Sequence, residues 1–258
     1  MGRRAIIAGA GALPGLLAAA GPALLVRLAG QPGGTGDADI TARLECLGRL
    51  FADLRAAGVG ELCLAGAMRR ADFDRDRLDP ETAALLPGLT AAMARGDDAL
   101  LRRIVAIFED EGFTVRGAHE LRPDLVMRAG TLAGSARAGG DAERARAVLA
   151  ALGPLDVGQA AVAGRGQILG VETLQGTDAM LGFVAHSAPG SGGVLVKRAK
   201  PGQDLRVDMP AIGPDTVAAC ARAGLSGIEV QADHVLLLDP GAVRAACAAH
   251  AIALWAVP

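Results

Sequence analysis

Hydrophobic runs and polar breaks alternate along this chain with the rhythm of strands and helices taken in turn. Arg4 to Ala8 reads as a buried strand, GAGALPG as a tight turn, and Leu13 to Ala20 as the helix after it. Ala23 to Leu28 predicts a second strand, Gln31 to Asp39 a polar turn, Leu44 to Ala57 a helix and Glu61 to Ala65 a third strand. That spacing is the spacing of a parallel sheet. The charged segment Asp72 to Asp79 reads as an exposed turn with short helices, broken by Pro80, Pro87 and Gly88. From Asp97, whose side chain can cap, Leu100, Leu101, Ile104, Val105 and Phe108 fall on one helical face that ends at Gly112. Thr114 to Ala118 predicts a further strand.

Pro123 to Gly140 is loose and rich in Gly, Ala and Arg, and Ala142 to Leu152 is helical. A domain boundary therefore falls near residues 125 to 140. Beyond it the rhythm changes: Gln159 to Ala163 and Gln167 to Glu172 flank Gly164-Arg165-Gly166 as a hairpin. Helices are predicted at Ala179 to Ala185, opened by Thr177-Asp178, at Pro214 to Ala223, and from the cap Asp239 to His250. Strands are predicted at Gly193 to Arg198, Gly227 to Val230, Val235 to Leu238 and Ile252 to Val257. The fold class is α/β in two domains: a Rossmann-like parallel sheet over 1–130, a mixed α/β domain over 131–258, and a cleft between them.

With 51% of its 258 residues hydrophobic, the chain can bury a substantial core, and its net charge of -2 gives no long-range field to gather nucleic acid or an anionic membrane. Five Phe, one Trp and no Tyr leave neither a base-stacking platform nor an aromatic membrane belt. Cys46, Cys63, Cys220 and Cys247 have no CxxC spacing and lie among Ala and Leu, as small buried hydrophobes do. The apolar start is punctuated by Gly and Pro, unlike a secretion signal, and no run of 18 apolar residues is free of breakers. A soluble cytoplasmic protein is the expectation.

The most informative chemistry lies between Gly192 and Thr216, where Lys197, Arg198, Lys200, Gln203, Asp204, Arg206, Asp208 and Asp215 crowd one short segment. Cations suit phosphate oxygens and carboxylates suit a hard metal ion, so this segment, with LQGTDAML upstream, points to phosphoryl transfer. Thr177 or Asp178 can cap a helix; alternatively Glu172, Asp178 and Asp208 meet at strand ends to hold magnesium or manganese and its water. Lys197 and Lys200 are either solvated strand-end cations or the neutralising charges of a diphosphate, with Gln203 as a neutral donor. The glycines Gly9, Gly11 and Gly15 fit a nucleotide-binding turn or merely a tight one, and no acidic residue follows where a dinucleotide ribose would want it. His119, His186, His234 and His250 show no metal spacing, and GxSxG, Walker and HExxH motifs are absent.

IAGAGALP, GAHELRPDL, VETLQGTDAM, KRAKPGQDLRVDMPAIGPDT and the late LLLD together resemble the UDP-2,3-diacylglucosamine pyrophosphatase family of lipid A biosynthesis, in the form distinct from calcineurin-like metallophosphatases. The resemblance spans nearly the whole chain. It implies a magnesium-dependent hydrolase that gives UMP and 2,3-diacylglucosamine 1-phosphate (lipid X). By position it carries over Asp178, Lys197, Gln203 and Asp208, with Asp208 the first choice for the catalytic or metal-linked carboxylate and Asp178 and Lys197 catalytic beside it; Glu172 as a further metal ligand, and Gly9, Ala10, Gly11, Leu13, Thr177 and Lys200 as substrate contacts, are expectations from the residues themselves. Ala10 replaces a usual glycine and Gln175 a usual glutamate. Peripheral contact with the inner membrane is a further expectation; a homodimer stays open. A carrier that has lost the chemistry and a nucleotide-sugar enzyme of other specificity are the competing readings.

Overall fold

The computed structural model describes residues 2–33, 36–69, 73–135 and 139–258. Gly34 and Thr35 of the polar turn, Asp72 of the charged segment and residues 136–138 of the loose segment lie outside them. Two compact units emerge, Met1–Pro123 with Asp204–Asp208, and Asp124–Gln203 with Met209–Pro258.

The first unit is built from β1 (Arg3–Ala8), α1 (Leu13–Ala18), β2 (Leu24–Leu28), β3 (Ile40–Ala42), α2 (Leu47–Ala56), β4 (Val59–Ala65), α3 (Pro80–Met93), α4 (Asp97–Asp110), β5 (Thr114–Val115) and α5 (Ala118–Leu121). Its strands form one parallel sheet in the order β3-β2-β1-β4-β5. Alternation along β1 sends Ala5 and Ile7 into a core shared with Leu50, Phe51 and Leu54 of α2 and Val105, Ile107 and Phe108 of α4. Phe51 and Phe108 meet edge to face at 5.5 Å.

Three expectations need correction here. The prolines do not break the segment after Asp79: α3 is one helix of 14 residues. Pro80 stands in the first turn, where no N–H is needed, Asp79 caps by accepting from the Thr82 amide, and Pro87 is carried inside by the packing of Leu89 and Ala92. Asp97 is not a cap, because Gly96 at φ 120° holds that position and Asp97 lies in the first turn, where a carboxylate favours the positive helix end. The strand expected over Thr114 to Ala118 stops at Val115, since the Glu120 carboxylate accepts from the Gly117 amide and starts α5.

The second unit comprises β6 (Gly130–Ala133), α6 (Gly140–Leu152), β7 (Ala160–Gly164), β8 (Gln167–Val171), α7 (Gly176–Ser187), β9 (Val194–Lys197), β10 (Ala211–Ile212), α8 (Pro214–Arg222), β11 (Gly227–Gln231), β12 (Leu236–Leu237), α9 (Pro240–His250) and β13 (Ala253–Val257). Its main sheet runs β6-β13-β11-β9-β7-β8; β9, β11 and β13 are parallel, and β7, β8 and β6 extend them antiparallel. The β7–β8 hairpin turns on Arg165 and Gly166, both at positive φ (53° and 76°), as a two-residue loop matching strand twist requires. Ala160, Val162, Leu195, Ile228 and Val230 face one core with Met180, Leu181, Val184 and Val217. Ala161, Ala163, Val194 and Val196 face the other with Ala142, Ala145 and Leu149 of α6.

Candidate active site

Leu195 faces the core under α7 and α8, and Lys197, two residues on, falls on the same side at the last position of β9. Since β9 lies between β7 and β11, the ammonium is enclosed from both flanks, and 10% of its side chain is exposed. Lys197 Nζ donates to Thr177 Oγ1 at 2.6 Å; the same hydroxyl donates to the Glu172 carboxylate, which stands 3.8 Å from the ammonium. Glu172 closes β8, its own amide held by Ala160 O at 2.8 Å. Thr177 and Asp178 occupy the first turn of α7, whose N-cap is Gln175, so neither caps that helix. A polar chain of carboxylate, hydroxyl and ammonium thus forms where the C-terminal end of a parallel strand meets the start of a helix. That is the place in α/β sheets where phosphates are met by backbone amides and a cation. Beneath it, burial pushes the Cys220 thiol up to about 12; Cys247 and Asp178 add to the rise and Lys197 opposes it.

The turn after β9 organises the second lysine. Lys200 N donates to Gln203 Oε1 at 2.8 Å and Gln203 N to Lys200 O at 3.2 Å, so the expected donor amide of Gln203 closes this turn through its carbonyl oxygen. Lys200 Nζ pairs with Asp156, and 11% of the lysine side chain is exposed. Asp208 lies in the other unit, on a turn whose backbone closes from Asp208 N to Asp204 O at 3.1 Å. Arg206 locks that turn: Nε and Nη2 reach Asp204 at 2.7 to 3.2 Å and Nη1 reaches Glu109 at 2.7 Å. The guanidinium holds the Asp204 carboxyl below its ordinary value against the opposing effect of burial. Val207 packs into the core of the first unit.

At the N-terminal glycines, Gly9 N donates to Ala65 O at 2.7 Å and Ala10 N to Ala67 O at 2.8 Å. These two amides are therefore committed inside the protein. A Cβ on Gly9 would stand 2.5 Å from Ala67 O, so this glycine permits close approach of two backbones. Gly11 stands at φ 96° with open space around it, and Leu13 is the first residue of α1.

Among the described residues no group of three or more His, Cys, Asp or Glu is placed to hold one ion; Glu172 and Asp178 belong to the second unit and Asp208 to the first. The Glu172 carboxylate stands beside a cation of the protein's own, the Lys197 ammonium.

One signal in the sequence went unread. Of 26 basic residues 24 are arginine, and the two lysines are Lys197 and Lys200. A chain that supplies arginine everywhere else keeps the compact ammonium at these two enclosed positions, where a planar guanidinium of larger size has different needs.

Residues 3–125 match the family model described as the LpxI N-terminal domain, and residues 128–255 the LpxI C-terminal domain. The UDP-2,3-diacylglucosamine pyrophosphatase LpxI of Caulobacter vibrioides is 39% identical over 272 aligned positions, covering 95% of this chain and 94% of that protein.

Proposed function

The chain belongs to the LpxI family, and from that premise we propose that it hydrolyses UDP-2,3-diacylglucosamine, water adding across the P–O–P bond to give UMP and 2,3-diacylglucosamine 1-phosphate. The observation that supports this most is the enclosed ammonium of Lys197 at the start of α7. A diphosphate brings negative charge that grows on the leaving oxygen, and a fixed ammonium beside helix amides is set to stabilise it without reorganisation. Lys200 adds a second cation, Gln203 a neutral side-chain N–H donor, and Thr177, whose hydroxyl hydrogen goes to Glu172, its backbone amide in the first turn of α7 for substrate oxygens. Asp208 orients and deprotonates the attacking water in this reading, its turn held by Arg206 and Asp204. Gly11 and Leu13 remain substrate contacts.

Magnesium belongs to the proposal as a requirement, with Asp178 and Asp208 as its carboxylates, and no step above is routed through it. The diacylated substrate brings the protein to the inner membrane peripherally in this reading. No helix among the described residues is long and apolar enough to cross a membrane. Leu174, before α7, and Phe183, on it, are 90% and 61% exposed, and such a contact would cover them.

The test is release of UMP from UDP-2,3-diacylglucosamine by the purified protein, with EDTA and then magnesium added back. Release that stops with EDTA and returns with magnesium is expected. Binding of the lipid with no release of UMP would favour the carrier instead, and EDTA-resistant release would remove the metal requirement.

A further inference from the structure

We infer that Glu172 is a positioning residue for Lys197, acting through the Thr177 hydroxyl, and is not a ligand of a metal ion. This rests on the hydrolase reading for its consequence in turnover, but the placement of the ammonium is testable without turnover. Three observations carry it. Thr177 Oγ1 accepts from Lys197 Nζ at 2.6 Å and spends its own hydrogen on Glu172, so the hydroxyl has one donor and one acceptor and its direction is fixed. The carboxylate lies 3.8 Å from Nζ, with 14% of its side chain exposed, so the two opposite charges face each other in a largely enclosed place. The backbone of Glu172 is pinned on two sides: its amide donates to Ala160 O, and Gly158, at φ 60°, lies so close that a Cβ there would meet Glu172 O at 2.0 Å.

The arrangement has the logic of an outer group that orients a working one. Glu172 aims the Thr177 hydroxyl, the hydroxyl aims the ammonium, and two of the three ammonium hydrogens stay available for phosphate oxygens. Because the carboxylate reaches the ammonium chiefly through the hydroxyl, Lys197 is held in place without being closed into a tight ion pair. The carboxylate oxygen that takes the Thr177 hydrogen is the one that faces the ammonium, so this oxygen is already committed to positioning.

The chain's two lysines make the test direct. In lysine-15N protein carrying Lys200→Arg, Lys197 is the lone ammonium observable by proton–nitrogen NMR in the cold at slightly acid pH. The inference predicts a protected ammonium signal that is lost by fast exchange in Glu172→Gln and in Thr177→Val, and retained in Thr177→Ser. Mn2+ binding, followed by EPR on the protein without substrate, is expected to keep its affinity in Glu172→Gln. In the Lys200-intact protein, Glu172→Gln is expected to lower kcat by about 10- to 100-fold, the usual cost of losing an orienting partner, with KM changed by less than about threefold. A Lys197 signal indifferent to both substitutions, or absent from the parent protein, overturns the inference. So does a tenfold or greater loss of Mn2+ affinity in Glu172→Gln. Failure of the parent protein to release UMP would instead overturn the hydrolase reading, and the NMR result would still decide the role of Glu172.

Discussion

Replacing Arg206 with Ala removes the lock on the turn that carries Asp208, and its cost is calculable. Four contacts are lost, three to Asp204 and one to Glu109. Hydrogen bonds between charged partners contribute about 1.5–3 kcal/mol apiece when sheltered, and about a third of the Arg206 side chain is exposed. Discounted for solvent, the net loss is about 2 kcal/mol, which in a unit of this size lowers Tm by about 6 °C. The loss also has a pH signature. Arg206 lowers the folded Asp204 carboxyl below the 3.8 of an ordinary one, so the folded state binds that proton less readily than the unfolded chain. Its contribution to stability is present above pH 3.8 and disappears as pH falls through the lower folded value. Calorimetry of the parent and Arg206→Ala at neutral pH and near pH 3 is the assay. The gap in Tm should be widest at neutral pH and narrow in acid. A gap below about 1 °C at neutral pH, or one that stays constant into acid, refutes the reasoning.

Lys197→Arg should lower kcat by about 100- to 1000-fold, as loss of a transition-state donor does, with the fold intact by circular dichroism; near-parental turnover would show that any cation serves. Arg146→Ala strips the Glu229 carboxylate, 2% exposed, of the guanidinium that bonds both its oxygens, while the Trp255 indole still donates to it at 3.0 Å; a loss of about 3 kcal/mol and a red shift of the single tryptophan's emission should follow. Burial raises the thiols of Cys63 and Cys220 to about 12 and that of Cys247 in the same direction, so a thiol reagent at pH 8 should label Cys46 alone in the folded protein and all four after unfolding.

Much of the fold was readable where a signal is local. The runs that became β1, β2, β4, β9 and β13 are mostly apolar, and the hairpin announces itself through Gly164-Arg165-Gly166. Short strands such as β3, β6 and β10 were missed because two to four residues carry no period of their own and are strands only by pairing with neighbours. The proline at 87 misled for a similar reason, since packing along α3 outweighs one lost hydrogen bond. In the candidate site, Lys197 drew notice as a cation ending an apolar strand, which left a solvated strand end and a phosphate-binding cation equally open. Its link to Glu172 gave no such sign, because the end of β8 and the start of α7 meet only in three dimensions. Spacing along the chain suggested Glu172, Asp178 and Asp208 as one set; in the structure Glu172 lies 3.8 Å from the Lys197 ammonium, and Asp208 belongs to the first unit and Asp178 to the second.

The central claim is tested most directly by UMP release from UDP-2,3-diacylglucosamine, comparing the parent protein with Asp208→Ala. The account predicts steady release by the parent and, in the variant, at least about a 100-fold lower rate with folding and lipid binding retained. Near-parental release by Asp208→Ala would take Asp208 out of the mechanism, and no release by the folded parent with magnesium present would contradict the assignment as a whole.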